Sequence, residues 1–190
     1  MAKTKLSQGD LLAMKPARMG EVSASLTQAP LGYDQCSVPI AILMADFFME
    51  HMLRLYHRFD RDLLLPIILG QIAHHSVSPV FTSLGQPKAQ GDIQHFWDRY
   101  KTDRVMAPCN ALSLSAATGI PRETVRRKIR QLVRHGWVKQ NQKGEVFLTP
   151  KPTQDFVPAF NVVTLNRLLQ TSQRIQRMLA EASHSAIQNP

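Results

Sequence analysis

The sequence has few of the residues that build disulfide frameworks, metal centres or membrane spans. Its two cysteines, Cys36 and Cys109, lie far apart and match no metal-ligand spacing, which favours two reduced thiols. The longest apolar stretches, residues 38–49 and 63–73, are interrupted and too short to cross a bilayer. The N-terminus has no apolar run of the kind found in secretory signals. These absences predict a cytoplasmic protein that does not contact a membrane.

Patterns that indicate catalysis are also missing. The seven histidines form no His-Glu-x-x-His motif and no cluster with cysteine at zinc spacing. Ser113 and Ser115 lie in no Gly-x-Ser-x-Gly motif, and the chain has no glycine-rich phosphate loop. The sequence therefore predicts no enzyme activity, no metal site and no cofactor. Methionine and phenylalanine side chains between residues 44 and 52 favour core packing, while a small-molecule effector site within residues 38–76 is left open.

Positive charge is abundant and unevenly distributed. The 190 residues carry a formal net charge of +9, from 23 Lys and Arg against 14 Asp and Glu. Residues 106–150 contain eight of these cations and two of the acids, so they hold two-thirds of the excess. Residues 1–105 are close to neutral. Because strongly basic segments associate with polyanions, the central segment is the candidate for binding nucleic acid.

Gly and Pro residues and the hydrophobic period divide the first half of the chain into two parts. Residues 1–36 show no sustained period, which predicts a partly disordered N-terminal extension. Residues 37–105 are predicted to form a helical region for core packing or dimerisation. Its first helix spans about residues 38–59, and its second begins with Asp60 as N-cap and is kinked or delayed by Pro66. Two strongly apolar helices favour a helical hairpin.

The second half begins after a short helix that Asp92 is expected to cap. Residues 106–150 form the basic segment, and residues 151–190 begin with a proline-marked linker and continue as a helix. This last helix carries an apolar seam of about two heptads, which predicts that it helps the chain to dimerise. The seam residues are Leu165, Leu168, Ser172, Ile175 and Leu179.

The order of residues after Cys109 predicts two helices joined by a tight turn. Asn110 is a good N-cap for a short helix rich in small residues, and Gly119 permits a turn with positive φ. Pro121 then opens a second helix, where its missing N–H costs nothing, and Gly136 ends that helix. Residues 137–149 have β-rich flanks around a turn sequence, which predicts a β-hairpin.

The second helix separates apolar side chains from basic ones. Val125, Ile129 and Leu132 share one face, whereas the opposite face is basic and polar. A helix of this kind packs on a scaffold and enters a major groove, where arginine forks onto guanine and other cations hold phosphates. The candidate DNA-contacting residues of this helix are Arg122, Glu123, Thr124, Arg126, Arg127, Arg130, Gln131 and Arg134. In the hairpin, Lys139 and Lys143 are expected to contact the DNA backbone.

Residues 107–150 resemble the winged helix-turn-helix of bacterial transcription regulators of the MarR-like, IclR-like and Crp-type kinds. The resemblance rests on the order of parts: a small-residue helix, a Gly-Ile-Pro turn, an Arg-Glu-Thr-Val-Arg-Arg helix, a Gly-Trp pair and a hairpin. It implies a homodimer that binds a palindromic site in double-stranded DNA. The other residues match no effector domain that the sequence identifies.

The sequence therefore predicts a mainly α fold, with a winged helix-turn-helix between flanking N- and C-terminal helices. The predicted function is sequence-specific binding of double-stranded DNA by a homodimeric, cytoplasmic transcription regulator. Two alternatives stay open at this point. One is a replication or maintenance protein of the plasmid or phage type. The other is a winged helix that uses its basic face to bind an acidic protein.

Overall fold

The computed structural model describes residues 28–84 and 107–188. The predicted short helix after Asp92 and most of the predicted N-terminal extension lie outside these ranges. In chain order the elements are α1 (Tyr33–Arg58), α2 (Leu64–Leu84), α3 (Ala111–Thr118), α4 (Arg122–Arg134), β1 (Val138–Gln140), β2 (Val146–Leu148), α5 (Lys151–Phe156), a π-helical turn (Val157–Asn161) and α6 (Val162–Gln188). The fold is mainly helical with one small hairpin, which confirms the predicted fold class.

The hydrophobic core joins α2 to the basic segment. Helix α2 packs against α3, α4 and β2, and α3 packs against α4. Together these elements form what we call the winged unit, which comprises residues 59–76 and 107–156. The buried core side chains are Phe59, Leu65, Ile68, Leu69, Ile72, Cys109, Ala111, Leu114, Val125, Ile129, Leu132, Trp137, Val138 and Val146.

Helix α1 packs against the C-terminal helix, not against α2. The contact between α1 and α6 is the most extensive one between two elements of the described structure. We call these two helices the helix pair. The predicted hairpin of the two apolar helices is therefore wrong, because α2 buries its apolar side chains against α3, α4 and the wing.

The connection between α1 and α2 is a strained turn. Asp60 and Arg61 adopt positive φ values of 50° and 66°, so Asp60 is not the predicted N-cap. Instead, the side chain of Asp62 accepts a hydrogen bond of 3.1 Å from the backbone N–H of Leu64, where α2 begins. Pro66 is the third residue of α2, a position where its missing N–H needs no partner. The helix thus starts late, as the proline predicted.

Helix α1 is long and unusually apolar. A kink at Cys36, with φ −127°, separates its first residues from the rest, and Pro39 lies in the turn that follows. The sequence predicted an apolar stretch too short to cross a bilayer, but α1 as a whole is, by length and composition only, the one helix among the described residues long and apolar enough to do so. Only 11% of that stretch is buried. Exposed apolar surface of this extent often marks an interaction site.

The proline-rich stretch after the hairpin is helical. Pro152 is the second residue of α5, where its missing N–H needs no partner, and Pro158 is the second residue of the π-helical turn. The predicted linker is therefore a chain of helical turns that leads directly into α6. It joins the winged unit to the helix pair without an extended segment.

Candidate nucleic-acid interface

The turn between α3 and α4 is fixed by local hydrogen bonds. Asn110 and Ser113 form a capping box, in which the Asn110 side chain accepts from the backbone N–H groups of Leu112 and Ser113. Gly119 ends α3 with a φ of 71°, which confirms the predicted left-handed turn. The Ser115 hydroxyl donates to the Ile120 carbonyl at 2.7 Å. These contacts set the angle at which α4 leaves α3.

One face of α4 is buried in the hydrophobic core. Val125, Ile129 and Leu132 are buried, as the helical period predicted. Lys128 is buried beside them, and its ammonium group pairs with the carboxylate of Asp62 at the start of α2. A buried charge needs such a partner, since water is not available to solvate it. Lys128 therefore fixes α4 to α2 and is not on the exposed face.

The opposite face of α4 is exposed and basic. Arg126, Arg127, Arg130 and Arg134 all reach solvent on this side of the helix. Glu123 lies among them and pairs with Arg126 at 3.5 Å and Arg130 at 3.2 Å. These pairs are exposed and weak, so the arginines can exchange them for phosphate or guanine at little cost. The arrangement matches what a major-groove helix presents to DNA.

Three other predicted residues border this face. Arg122 is exposed at the first turn of α4, while Thr124 and Gln131 are half-buried at the edge of the core. The carboxamide oxygen of Gln131 is buried and has no hydrogen-bond partner within the described structure. Among the predicted DNA-contacting residues of α4, the arginines are thus accessible to DNA. Thr124 and Gln131 remain predictions as base contacts.

The hairpin after α4 is a small antiparallel sheet. Its register pairs Val138 with Leu148 and Gln140 with Val146. The turn is closed by the Asn141 side chain, whose oxygen accepts from the N–H groups of Lys143 and Glu145 at 3.0 Å each. Lys139 on β1 and Lys143 in this turn are both exposed. They are therefore free to meet an anionic surface, as predicted for a wing.

A third extended segment completes the sheet. Cys109 forms an antiparallel bridge with Val146, with backbone hydrogen bonds of 3.2 Å and 2.7 Å. Burial raises the pKa of the Cys109 thiol to about 11, so the sulfur stays protonated and unreactive at neutral pH. Both cysteines are free thiols. The sequence did not predict this bridge, because a single paired residue forms no alternating hydrophobic pattern that would indicate a strand.

Aromatic side chains connect the hairpin to the neighbouring helices. Trp137 is buried, donates from Nε1 to Asp155 at 2.8 Å and stacks on His135 at a ring distance of 4.4 Å. Its other ring neighbours are Phe59 at 5.3 Å and Phe156 at 5.2 Å. The base of the wing is thus held by residues from α1's end, α4's end and α5. This support gives the hairpin a fixed position relative to α4.

The fold and the exposed face define a winged helix-turn-helix. Residues 107–142 match the family model of the IclR helix-turn-helix domain. This part of the chain is a DNA-binding segment of the type found in bacterial transcription regulators. No curated protein and no solved structure matches the chain. The match ends before β2 and leaves α1, α2 and α6 without a counterpart.

Sequence reasoning missed two residues that hold the site together. On the helical wheel Lys128 lies at the border of the apolar stripe, and this position is the local signal that it is not exposed. Its partner Asp62 lies 66 residues earlier, and no local pattern links the two. The predicted exposed residues, in contrast, depend only on the helical period of α4.

Proposed function

We propose that this protein is a sequence-specific, double-stranded DNA-binding transcription regulator that acts in the cytoplasm as a homodimer. One observation carries the proposal: α4 buries one face completely and presents arginines on the opposite face, at the second helix of a helix-turn-helix. Arginine reads guanine in the major groove through two hydrogen bonds. The wing lysines add contacts to the flanking backbone.

The homodimer follows from the size of the reading surface. One helix of 13 residues contacts only a few base pairs, whereas two copies related by a two-fold axis read an inverted repeat. The exposed apolar surface of the helix pair supports a second copy. Regulation of transcription by this dimer is the role that the helix-turn-helix match favours. A small-molecule effector remains a prediction from the sequence.

The test is a selection from a random pool of duplex DNA at physiological salt. The full chain is compared with an Arg126→Ala/Arg127→Ala variant and with an Arg174→Ala variant, which removes an exposed cation of α6. We expect the wild type and Arg174→Ala to enrich an inverted repeat with half-sites about one helical turn apart. The double variant is expected to enrich no sequence, because it lacks two cations of the exposed face.

A folded wild type that enriches no sequence would contradict sequence specificity. Retention of duplex at low salt, lost steeply between about 50 and 200 mM, would then indicate binding to phosphates alone. Failure to retain duplex at any salt would favour the protein-interaction alternative. The search would in that case turn to an acidic protein partner.

A further inference from the structure

Helix α1 carries an exposed apolar seam with heptad spacing. Its members follow each other at steps of four, three, four, three and four residues, which is the spacing of a coiled-coil core. The first five are exposed and the last is half-buried. We call these residues the α1 seam: Val38, Ile42, Ala45, Met49, Met52 and Tyr56.

The α1 seam lies on the side of α1 that α6 does not cover. The side that faces α6 includes Cys36 and Ile40, which are buried, and His51, whose ring lies 5.8 Å from that of Phe160. Glu50 pairs with Arg167 of α6 on the same side. Two residues along a helix correspond to a rotation of about 200°. Ile42, two residues beyond Ile40, and Met49, two residues before His51, therefore point away from α6.

Large apolar side chains are exposed along both helices of the helix pair. On α1 the exposed large apolar residues are Val38, Ile42, Met44, Phe48, Met49, Met52 and Leu53, and on α6 they are Val162, Val163, Leu165, Leu168 and Leu169. Most are about half exposed. Together they present on the order of 1,000 Å², and a stable interface needs about 800 Å² from each partner.

We propose that a second copy of this chain covers this surface, with the α1 seams of the two copies packed against each other. This proposal rests on the homodimer of the proposed function and assigns α1 as the helix through which the two copies make contact. A heptad seam is self-complementary, because side chains at this spacing insert into holes formed by the same spacing on a second helix. None of the six seam residues is charged, so two copies meet without burying like charges.

The remainder of α1 argues for a protein partner over a lipid one. Asp46 is exposed beside the seam, and Glu50 forms ion pairs with Arg54 and Arg167. A membrane-spanning α1 would bring these charges into hydrocarbon, which is costly. A second helix needs only the apolar side of α1 and leaves the charged side in water or against α6.

This interface differs from the one that the C-terminal seam predicted. Ile175 and Leu179 of that seam are half-buried where α6 packs along α1. Leu165 and Leu168 remain exposed near the start of α6. Helix α6 is thus mainly the partner of α1 within one chain, and Leu165 and Leu168 add exposed apolar side chains near its start.

The test measures the molar mass of the full chain by light scattering after size exclusion, without detergent, at micromolar concentration. We compare wild type with Met49→Glu, in the centre of the seam, and with Leu112→Glu, an equally exposed apolar residue of the winged unit. Wild type and Leu112→Glu are expected at twice 21.4 kDa, and Met49→Glu at 21.4 kDa. Circular dichroism checks that Met49→Glu keeps its helical content, and Met49→Ala serves as a milder second variant.

Three results would overturn the proposal. A dimeric Met49→Glu would place the interface elsewhere, and a monomeric wild type would exclude the second copy. A wild type that sediments with lipid vesicles and is monomeric in detergent would assign the surface to a membrane. DNA selection is a separate readout, so a dimer that enriches no DNA contradicts the proposed function and leaves the interface intact.

Discussion

The winged unit and the helix pair differ in how completely they bury their apolar residues. In the winged unit, Ile68, Ile72, Val125, Leu132 and Val146 have no exposed surface at all. Within the described part of the helix pair only two apolar residues, both near the start of α1, are buried. The first region holds a complete core, whereas the second leaves most of its large apolar side chains exposed.

The two regions should therefore differ in how their stability depends on protein concentration. A core formed within one chain has a stability that is independent of protein concentration. Helices that complete their core with a second copy gain stability as concentration rises, because association is linked to folding by mass action. The predictions below test this contrast, beginning with the largest effect.

The largest loss is expected from a cavity in the winged core. Leu132→Ala should lower the free energy of unfolding by about 2–5 kcal/mol, because the side chain has no exposed surface and the site cannot relax fully. Met49→Ala removes a similar volume from the exposed α1 seam. Its effect on the melting temperature should grow with protein concentration, whereas that of Leu132→Ala should not. Denaturation at two concentrations measures both, and equal behaviour would contradict the contrast.

Breaking the long-range ion pair of the winged unit should lower the free energy of unfolding more than breaking that of the helix pair. Lys128→Ala leaves the carboxylate of Asp62 partly buried without its cation, and should cost about 2–4 kcal/mol of unfolding free energy. Arg167→Ala breaks an exposed pair with Glu50 and should leave the free energy of unfolding within error. The measurement is urea denaturation of both variants. A larger loss from Arg167→Ala would show that the helix pair contributes more to stability than we infer.

The exposed arginines should affect DNA affinity and not stability. Arg127→Ala or Arg130→Ala should weaken binding to the selected site by about 1–3 kcal/mol where the residue reads a base. Substitution of a residue that contacts phosphate should instead weaken binding to all sequences alike. It should also lower the salt dependence of the affinity by about one ion. Arg174→Ala is the control, since it removes an equal charge from the helix pair. Titration at two salt concentrations separates these outcomes, and unchanged affinity in both variants would contradict the reading face.

The smallest effect concerns acid pH at the helix pair. Burial lowers the pKa of His51 below its usual value of 6.5, and Arg54 lowers it further. The folded form therefore holds a neutral imidazole, and as pH falls below about 6.5 the unfolded chain binds a proton that the folded chain does not. Stability contributed by His51 should thus decrease through this range. His51→Leu should flatten the decrease, and an unchanged pH profile in thermal melts would exclude the histidine as its cause.

Local patterns predicted the parts of the structure that depend on neighbours in sequence. The helical period of α4, the Asn110 cap and the positive φ of Gly119 required only a few adjacent residues, and the structure confirms them. The packing of α1 on α6 and the pair of Lys128 with Asp62 are contacts between residues far apart in the sequence. A local hydrophobic period does not predict such contacts. Asp60 failed as a cap because Asp62, two residues later, has the geometry that α2 needs.

Methylation interference on the selected DNA site tests the central claim most directly. Methylation of guanine at N7 blocks the major groove, whereas methylation of adenine at N3 blocks the minor groove. In the proposed function the exposed arginines of α4 read guanine, so N7 methylation within each half-site should prevent binding of the wild type. The interference at one guanine should disappear in Arg127→Ala or Arg130→Ala. Interference confined to adenine N3 would place the protein in the minor groove and contradict the role assigned to α4.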